Sequence, residues 1–152
     1  MEKQKALESV EIFRGLPREE LDSIAQLSET KTYKNGDVIF TERSKGGELY
    51  IMTKGTVRIE LGIKGKNDFA TIHRVGEGDL FGELALVSSG QRSASARCET
   101  DCETIAIDRE KLLELFKKNT RIGYLVMANL ASLLATRLRK TNLQLVACFL
   151  WE

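Results

Sequence analysis

A carboxylate and a guanidinium, Glu83 and Arg92, share the run Phe81-Gly82-Glu83-Leu84-Ala85-Leu86-Val87-Ser88-Ser89-Gly90-Gln91-Arg92-Ser93-Ala94-Ser95-Ala96-Arg97. A turn-rich stretch, Gly76-Glu77-Gly78-Asp79, precedes it, and the run opens into a short apolar segment of helical character. Backbone N–H groups at the start of such a segment lack partners and suit an anion. The planar fork of Arg92 can hold a phosphate bidentately. Gly90, Ser93, Ala94, Ser95 and Ala96 are small enough to let a ligand reach the backbone. Glu83 would repel a phosphate, but it fits if it accepts from sugar hydroxyls while Arg92 takes the phosphate. An acid for a ribose and an arginine for a phosphate describe a nucleotide. The plainer alternative is a strand–helix–strand connection in which Glu83 and Arg92 simply pair with each other.

The same run resembles the phosphate-binding cassette of the cyclic nucleotide-binding domain family, F-G-E-L-A-L followed by an R-S-A segment. That family includes catabolite activators, regulatory subunits of cyclic-nucleotide-dependent kinases and cyclic-nucleotide-gated channels. The resemblance implies roles residue by residue. Gly82 and Glu83 match the contacts to the ribose 2′-hydroxyl, and Leu84 and Ala85 match backbone positions near the ligand. Arg92 matches the phosphate-binding arginine, with Ser93 and Ala94 as adjacent phosphate contacts. Ile59 and Ile72 are candidates for the apolar wall. Thr141 and Asn142, within Arg139-Lys140-Thr141-Asn142, match the place where activator-like members set Thr-Ser against the base. Serine at position 93 favours cyclic AMP over cyclic GMP, since cyclic-GMP-selective members tend to carry threonine there.

Other chemistries find little support. Gly76, Gly78 and Gly82 do not make the dinucleotide fingerprint, because the third glycine is misplaced and no alternating strand–helix pattern surrounds them. There is no G-x-x-x-x-G-K-[ST] loop. His73 is the only histidine, and neither a Ser-His-Asp triad nor a multi-histidine metal site is expected. It falls in a strand near the expected pocket, where an exposed or structural role is the plainer reading. Cys98, Cys102 and Cys148 lack zinc-site spacing and read as reduced thiols, the first two on neighbouring barrel strands. Arg137, Arg139 and Lys140 read as a solvated helix face. No catalytic role and no cofactor or metal are expected.

The 152 residues fit one domain with one core. A formal net charge of +1 argues against strong unspecific attraction to nucleic acid or anionic membrane. No apolar run reaches membrane-spanning length, and the start Met1-Glu2-Lys3-Gln4-Lys5 lacks an apolar signal region. A soluble cytoplasmic protein is the expectation.

Three zones must position the cassette. Residues 1–28 read as helical lead-in, Glu2 to Gln26, broken at Gly15-Leu16-Pro17, with Glu19 and Glu20 suiting the first turn of the second helix. Residues 29–108 change to period two, with strands at 32–33, 37–40, 49–52, 56–61, 69–75, 95–98 and 103–107. Asn35-Gly36, Gly46-Gly47 and Lys54-Gly55 mark turns, and Gly62 to Asp68 a polar hairpin tip. Many short antiparallel strands suggest a sandwich or jelly roll; the family resemblance selects a jelly-roll barrel. Residues 109–152 return to helix: Asp108 is a plausible cap, 111–118 a short amphipathic helix, and Arg121 to Trp151 a long one. Tyr124, Met127, Ala131, Leu134, Leu138, Thr141, Leu145 and Cys148 follow a seven-residue a/d repeat. That repeat reads either as one broad core-facing stripe or as a seam for a second copy, and the resemblance favours the homodimer.

Taken together the chain is expected to be a stand-alone cyclic nucleotide sensor signalling through its last helix to an unidentified protein. The alternatives are the sensory piece of a transcription regulator or channel, and a degenerate structural module without ligand, against which the intact Glu83 and Arg92 speak.

Overall fold

The period-two segments close into two four-stranded antiparallel sheets in the computed structural model, which describes residues 3–88 and 90–150. The ends expected for the first helix at Glu2 and the last at Trp151, and cassette position Ser89, lie outside the described residues. Helix α1 (Lys3–Ser9), a 3-10 turn (Glu11–Phe13) and α2 (Arg18–Gln26) lead in. The strands are β1 (Ser28–Tyr33), β2 (Val38–Phe40), β3 (Glu48–Lys54), β4 (Val57–Gly62), β5 (Phe69–Val75), β6 (Leu80–Phe81), β7 (Ser95–Cys98) and β8 (Cys102–Asp108). A four-residue helix α3 (Leu84–Val87) interrupts them, and α4 (Arg109–Lys118) and α5 (Thr120–Leu150) follow. One sheet runs β1-β8-β3-β6 and the other β2-β7-β4-β5, the jelly-roll arrangement expected.

Strand β3 explains how the layers stack. Its even residues Tyr50 and Met52 face the space between the sheets, with Val57, Ile59, Val75, Phe81, Ala96 and Ala106. Its odd residues Leu49 and Ile51 face the helices, with Ile105 and Ile107 of β8. Because successive strand residues alternate faces, a strand covered on both sides reads as an unbroken apolar run. The helical side adds Leu7, Phe13 and Ile24, then Leu112 of α4 and Ile122, Val126 and Leu130 of α5. Asp108 caps α4, its carboxylate accepting from the Lys111 N–H at 3.0 Å. Gly123 lets α5 cross α4 closely, since a Cβ there would lie 2.9 Å from Cβ of Phe116.

Helix α5 divides into two halves. Ile122, Val126 and Leu130, all off the seven-residue seam, are buried in the core, with Met127 and Leu134 half-buried beside them. From Leu138 onward every described residue is exposed, seam residues Thr141, Leu145 and Cys148 included. The second half of this helix therefore carries an apolar surface, Leu138, Leu143, Leu145, Val146 and Phe149, with no cover from its own chain.

Cys98 and Cys102 lie in different sheets, not on adjacent strands, and meet across the interior where β7 turns into β8. Burial pushes the Cys98 thiol up to about 12, helped by its hydrogen bond with Cys102. The folded state thus holds it protonated. That contribution is full below the unfolded thiol value, near 8.5, and is lost as pH rises toward the folded one. Cys148 is exposed. A thiol reagent at pH 8 should label Cys148 alone in the folded protein and all three cysteines in urea; rapid native labelling of Cys98 would contradict this packing.

Candidate functional site

A cavity of about 450 Å³ opens between the cassette and the β4–β5 hairpin, within the range of small-molecule sites. Of the residues expected at a ligand, Gly82, Glu83, Leu84, Ala85, Arg92, Ser93, Ala94, Ile59 and Ile72 all line it. Thr141 and Asn142 do not: both are exposed on α5, and the Thr141 hydroxyl donates to the Arg137 carbonyl at 2.9 Å.

Arg92 is only 9% exposed, yet no carboxylate lies within ion-pair distance of it among the described residues. Its Nη2 donates to the Glu48 carbonyl at 2.7 Å and its Nη1 to the Gly82 carbonyl at 3.3 Å. The guanidinium lies 4.1 Å from the centre of the Phe40 ring, a cation–π contact. Its buried Nε has no partner. Burial lowers its pKa from the ordinary arginine value, outweighing the opposing influence of Tyr50, Glu48 and Glu83. An arginine stays charged in a protein, so the lowering marks a cation short of compensating negative charge.

Backbone geometry makes the slot for this side chain. Gly82 has φ +74, and a Cβ there would lie 3.0 Å from Arg92 Nη1 and 3.2 Å from the Glu48 carbonyl. A side chain at 82 would be strained by conformation and by space alike. On the other side the loop between β2 and β3 pairs with the cassette: the Arg43 N–H donates to the Arg92 carbonyl at 2.8 Å, and the Arg92 N–H to that of Ser44 at 2.7 Å. Below lie Phe40, Tyr50 and Phe81, the last two stacked with centroids 5.1 Å apart.

Glu83 has a partner, but not Arg92. Arg137, half-way along α5, donates from Nη1 to Glu83 Oε1 and from Nη2 to the Leu80 carbonyl at 3.1 Å. The reading of Arg137 as part of a solvated face is therefore corrected for that residue: it ties α5 to the cassette. Nothing local in the sequence distinguishes it from Arg139 and Lys140, because the contact spans 54 residues. Arg109, at the start of α4, adds a second tie through Nε to the Ala85 carbonyl at 2.6 Å. Phe40, Gln91 and His73 also line the cavity. Of these Gln91 is foreseeable from its place in the cassette and His73 from its strand, whereas nothing in the sequence marks Phe40.

Residues 30–119 match the family model described as "Cyclic nucleotide-binding domain". The chain is 38% identical over 134 residues to the cyclic AMP receptor protein of Thermus thermophilus, covering 88% of this chain and 60% of that protein. Human cGMP-dependent protein kinase 2 is 34% identical over 105 residues, 68% of this chain but 14% of the kinase. Among solved structures, the catabolite activator protein of Thermus thermophilus superposes with TM-score 0.76 at 38% identity, covering 88% of this chain and 61% of that one. The chain thus spans about three-fifths of the activator-type proteins it matches.

The Arg137–Glu83 tie has a measurable consequence. Arg137→Ala should speed amide exchange in the cassette around residues 83–88 and in α5 beyond Thr136 together, while the β3–β8 core stays protected. Exchange rising in α5 alone would show that the contact does not couple the two.

Proposed function

The chain belongs to the cyclic nucleotide-binding domain family, and from that premise we propose that it is a cyclic nucleotide sensor. The observation that carries this reading is Arg92, a buried cation in a cavity wall with no carboxylate beside it among the described residues. A phosphodiester supplies the missing charge. Ser93 and the exposed end of the cassette add donors, and Glu83 takes a ribose hydroxyl. Cyclic AMP is the proposed ligand in preference to cyclic GMP, on the serine at 93 and on the 38% identity to a cyclic AMP receptor protein.

The sensor is proposed to be non-catalytic and cytoplasmic, and to signal through α5 without binding nucleic acid or membrane itself. No described helix is long and apolar enough to cross a membrane. The uncovered second half of α5 fits a homodimer seam, because an apolar stripe of this length is a liability when left in water. Thr141 follows Arg137 by one helical turn, so a shift of α5 toward the cavity would bring Thr141 and Asn142 to the base. Ligand would then select that helix position, by no more than its difference in affinity for the two positions. A downstream protein reading the helix completes the proposal.

Calorimetric titration with cyclic AMP and cyclic GMP tests the ligand. Arg92→Ala should weaken binding roughly ten- to a hundredfold or more, from a charge-assisted hydrogen bond worth about 1.5–3 kcal/mol. Glu83→Ala should cost more for the ribose ligand than for its 2′-deoxy analogue. Undiminished binding by Arg92→Ala would sink the reading. Sedimentation with and without cyclic AMP tests the seam: a dimer is expected, and Leu138→Glu with Leu145→Glu should leave a folded monomer.

A further inference from the structure

Arg43, in the loop between β2 and β3, has φ +72 and is the only non-glycine with a positive φ among the described residues. An L-residue in this region crowds its Cβ against the following carbonyl oxygen, which glycine avoids and asparagine partly tolerates. Arginine has neither escape. Its side chain does nothing that would offset the strain. It is exposed, pairs with no carboxylate among the described residues, and does not line the cavity.

The main chain at Arg43 is where the strain has a use. Its N–H donates to the Arg92 carbonyl at 2.8 Å, and the carbonyl of the next residue, Ser44, accepts from the Arg92 N–H at 2.7 Å. Arg92 lies between α3 and β7, so neither element's own hydrogen bonds hold its backbone. These two bonds engage both of its main-chain groups, and Lys45 pairs with Gln91 beside them. Rotating Arg43 back to an ordinary negative φ turns one of the two loop groups away, so both meet Arg92 only while residue 43 is left-handed. The preceding residue anchors the loop on the other flank. The Glu42 N–H donates to the Ser95 hydroxyl at 2.8 Å, and the Glu42 carboxylate accepts from the Gly62 N–H at 3.1 Å.

We propose that Arg43 is a positioning residue for Arg92, acting through its left-handed backbone and not through its guanidinium. This rests on the cyclic nucleotide reading above. The Arg92 fork can meet a phosphate squarely only if it starts from a fixed main chain. Its Nε has no partner, and two carbonyls and the Phe40 face are all that steady its tip. Loosening residue 43 lets the Arg92 backbone drift, and the binding-competent fraction of the protein falls. The strain at position 43 lowers stability and in the same measure preorganises the phosphate site.

The test titrates cyclic AMP into the unmodified protein and into Arg43→Gly, Arg43→Asn, Arg43→Val and Arg43→Pro. Glycine and asparagine accept the left-handed region but lack a guanidinium, so both should bind at least as tightly as the unmodified protein. Arg43→Gly should also melt at a higher temperature. Valine resists that region, and proline fixes φ at about −65° and removes the N–H. Each should bind roughly three- to tenfold more weakly, with melting curves showing that the variants are folded. A second readout needs no ligand. The buried Arg92 Nε–H gives a ¹H–¹⁵N signal that is identified by its loss in Arg92→Lys. In Arg43→Val and Arg43→Pro this signal should move toward the free-arginine position and exchange faster with water; in Arg43→Gly it should stay. A loss of global stability alone would not move it. Equal affinity in all four variants, or a loss in the glycine and asparagine variants, would overturn the proposal. So would an Nε–H signal indifferent to valine and proline. Failure of the unmodified protein to bind cyclic AMP would overturn the nucleotide reading instead, and the ligand-free signal would still decide whether residue 43 positions Arg92.

Discussion

A guanidinium taken out of water and given carbonyls instead of carboxylates sets the terms for the rest of this structure. Carbonyl dipoles from Glu48 and Gly82 and the face of Phe40 stabilise Arg92 without cancelling its charge. The acids near it are occupied elsewhere. Glu48 accepts from Lys31 at 3.0 Å and from the Tyr50 hydroxyl, and Glu83 is engaged by Arg137. Had either carboxylate swung to Arg92, the ion pair would be satisfied internally and an incoming anion would have to displace it. Sorting the charges this way leaves the cation poised at some cost in stability, since an incompletely paired buried ion is expensive. Strain of this sort persists only where the surrounding structure over-determines it.

The over-determination is visible in how many elements converge on the cassette. The β2–β3 loop grips the Arg92 backbone by two hydrogen bonds, Arg109 of α4 holds the Ala85 carbonyl, and Arg137 of α5 holds Leu80 and Glu83. Underneath, the Glu48 carbonyl that receives Arg92 belongs to β3, a strand whose middle is buried on both faces. A four-residue helix such as α3 could not hold a shape by its own hydrogen bonds. Its geometry is imposed by neighbours from the barrel and from the C-terminal helices.

Which parts of this were legible in the sequence follows from how far each interaction reaches. Glu83, Arg92 and the small residues between them carry their chemistry within one run, so the cassette can be read directly, and nine of the eleven expected contacts line the cavity. The turns at Asn35-Gly36 and Lys54-Gly55 and the cap at Asp108 are equally local, and strand existence follows from alternation. Three features escape for physical reasons. Strand β6 is two residues long and has no period to show. The bulge at Ile72 is a matter of register with β4, which one strand's own residues do not encode. Arg137 sits beside Arg139 and Lys140 on a helix face, and only packing of α5 against the barrel singles it out. Thr141 and Asn142 point to the same gap: their match to the family pattern specifies residue types, whereas their exposure here is a property of helix position.

Glu83 lines the cavity and accepts from Arg137 of the long helix, and in the proposed function its two oxygens would set how ligand and helix are coupled. Arg137 engages Oε1, and the carboxylate has lone pairs to accept further donors. A ribose hydroxyl that settles on Oε2 leaves the Arg137 tie in place, and ligand and helix then hold the cassette together. A hydroxyl that needs Oε1 competes with Arg137, and each occupant weakens the other. Reciprocity requires that the helix change ligand affinity by the same factor that ligand changes helix position, on the order of 1–3 kcal/mol for a typical coupling. Beyond Arg137 the helix has no cover from its own chain, so little resists its movement once the tie alters. At about 1.5 Å per residue it would carry a small rotation at the cassette roughly 20 Å to its far end. In that proposal the sign of the coupling would rest on a single carboxylate, since which of its oxygens the ribose takes decides whether the Arg137 tie is kept or contested.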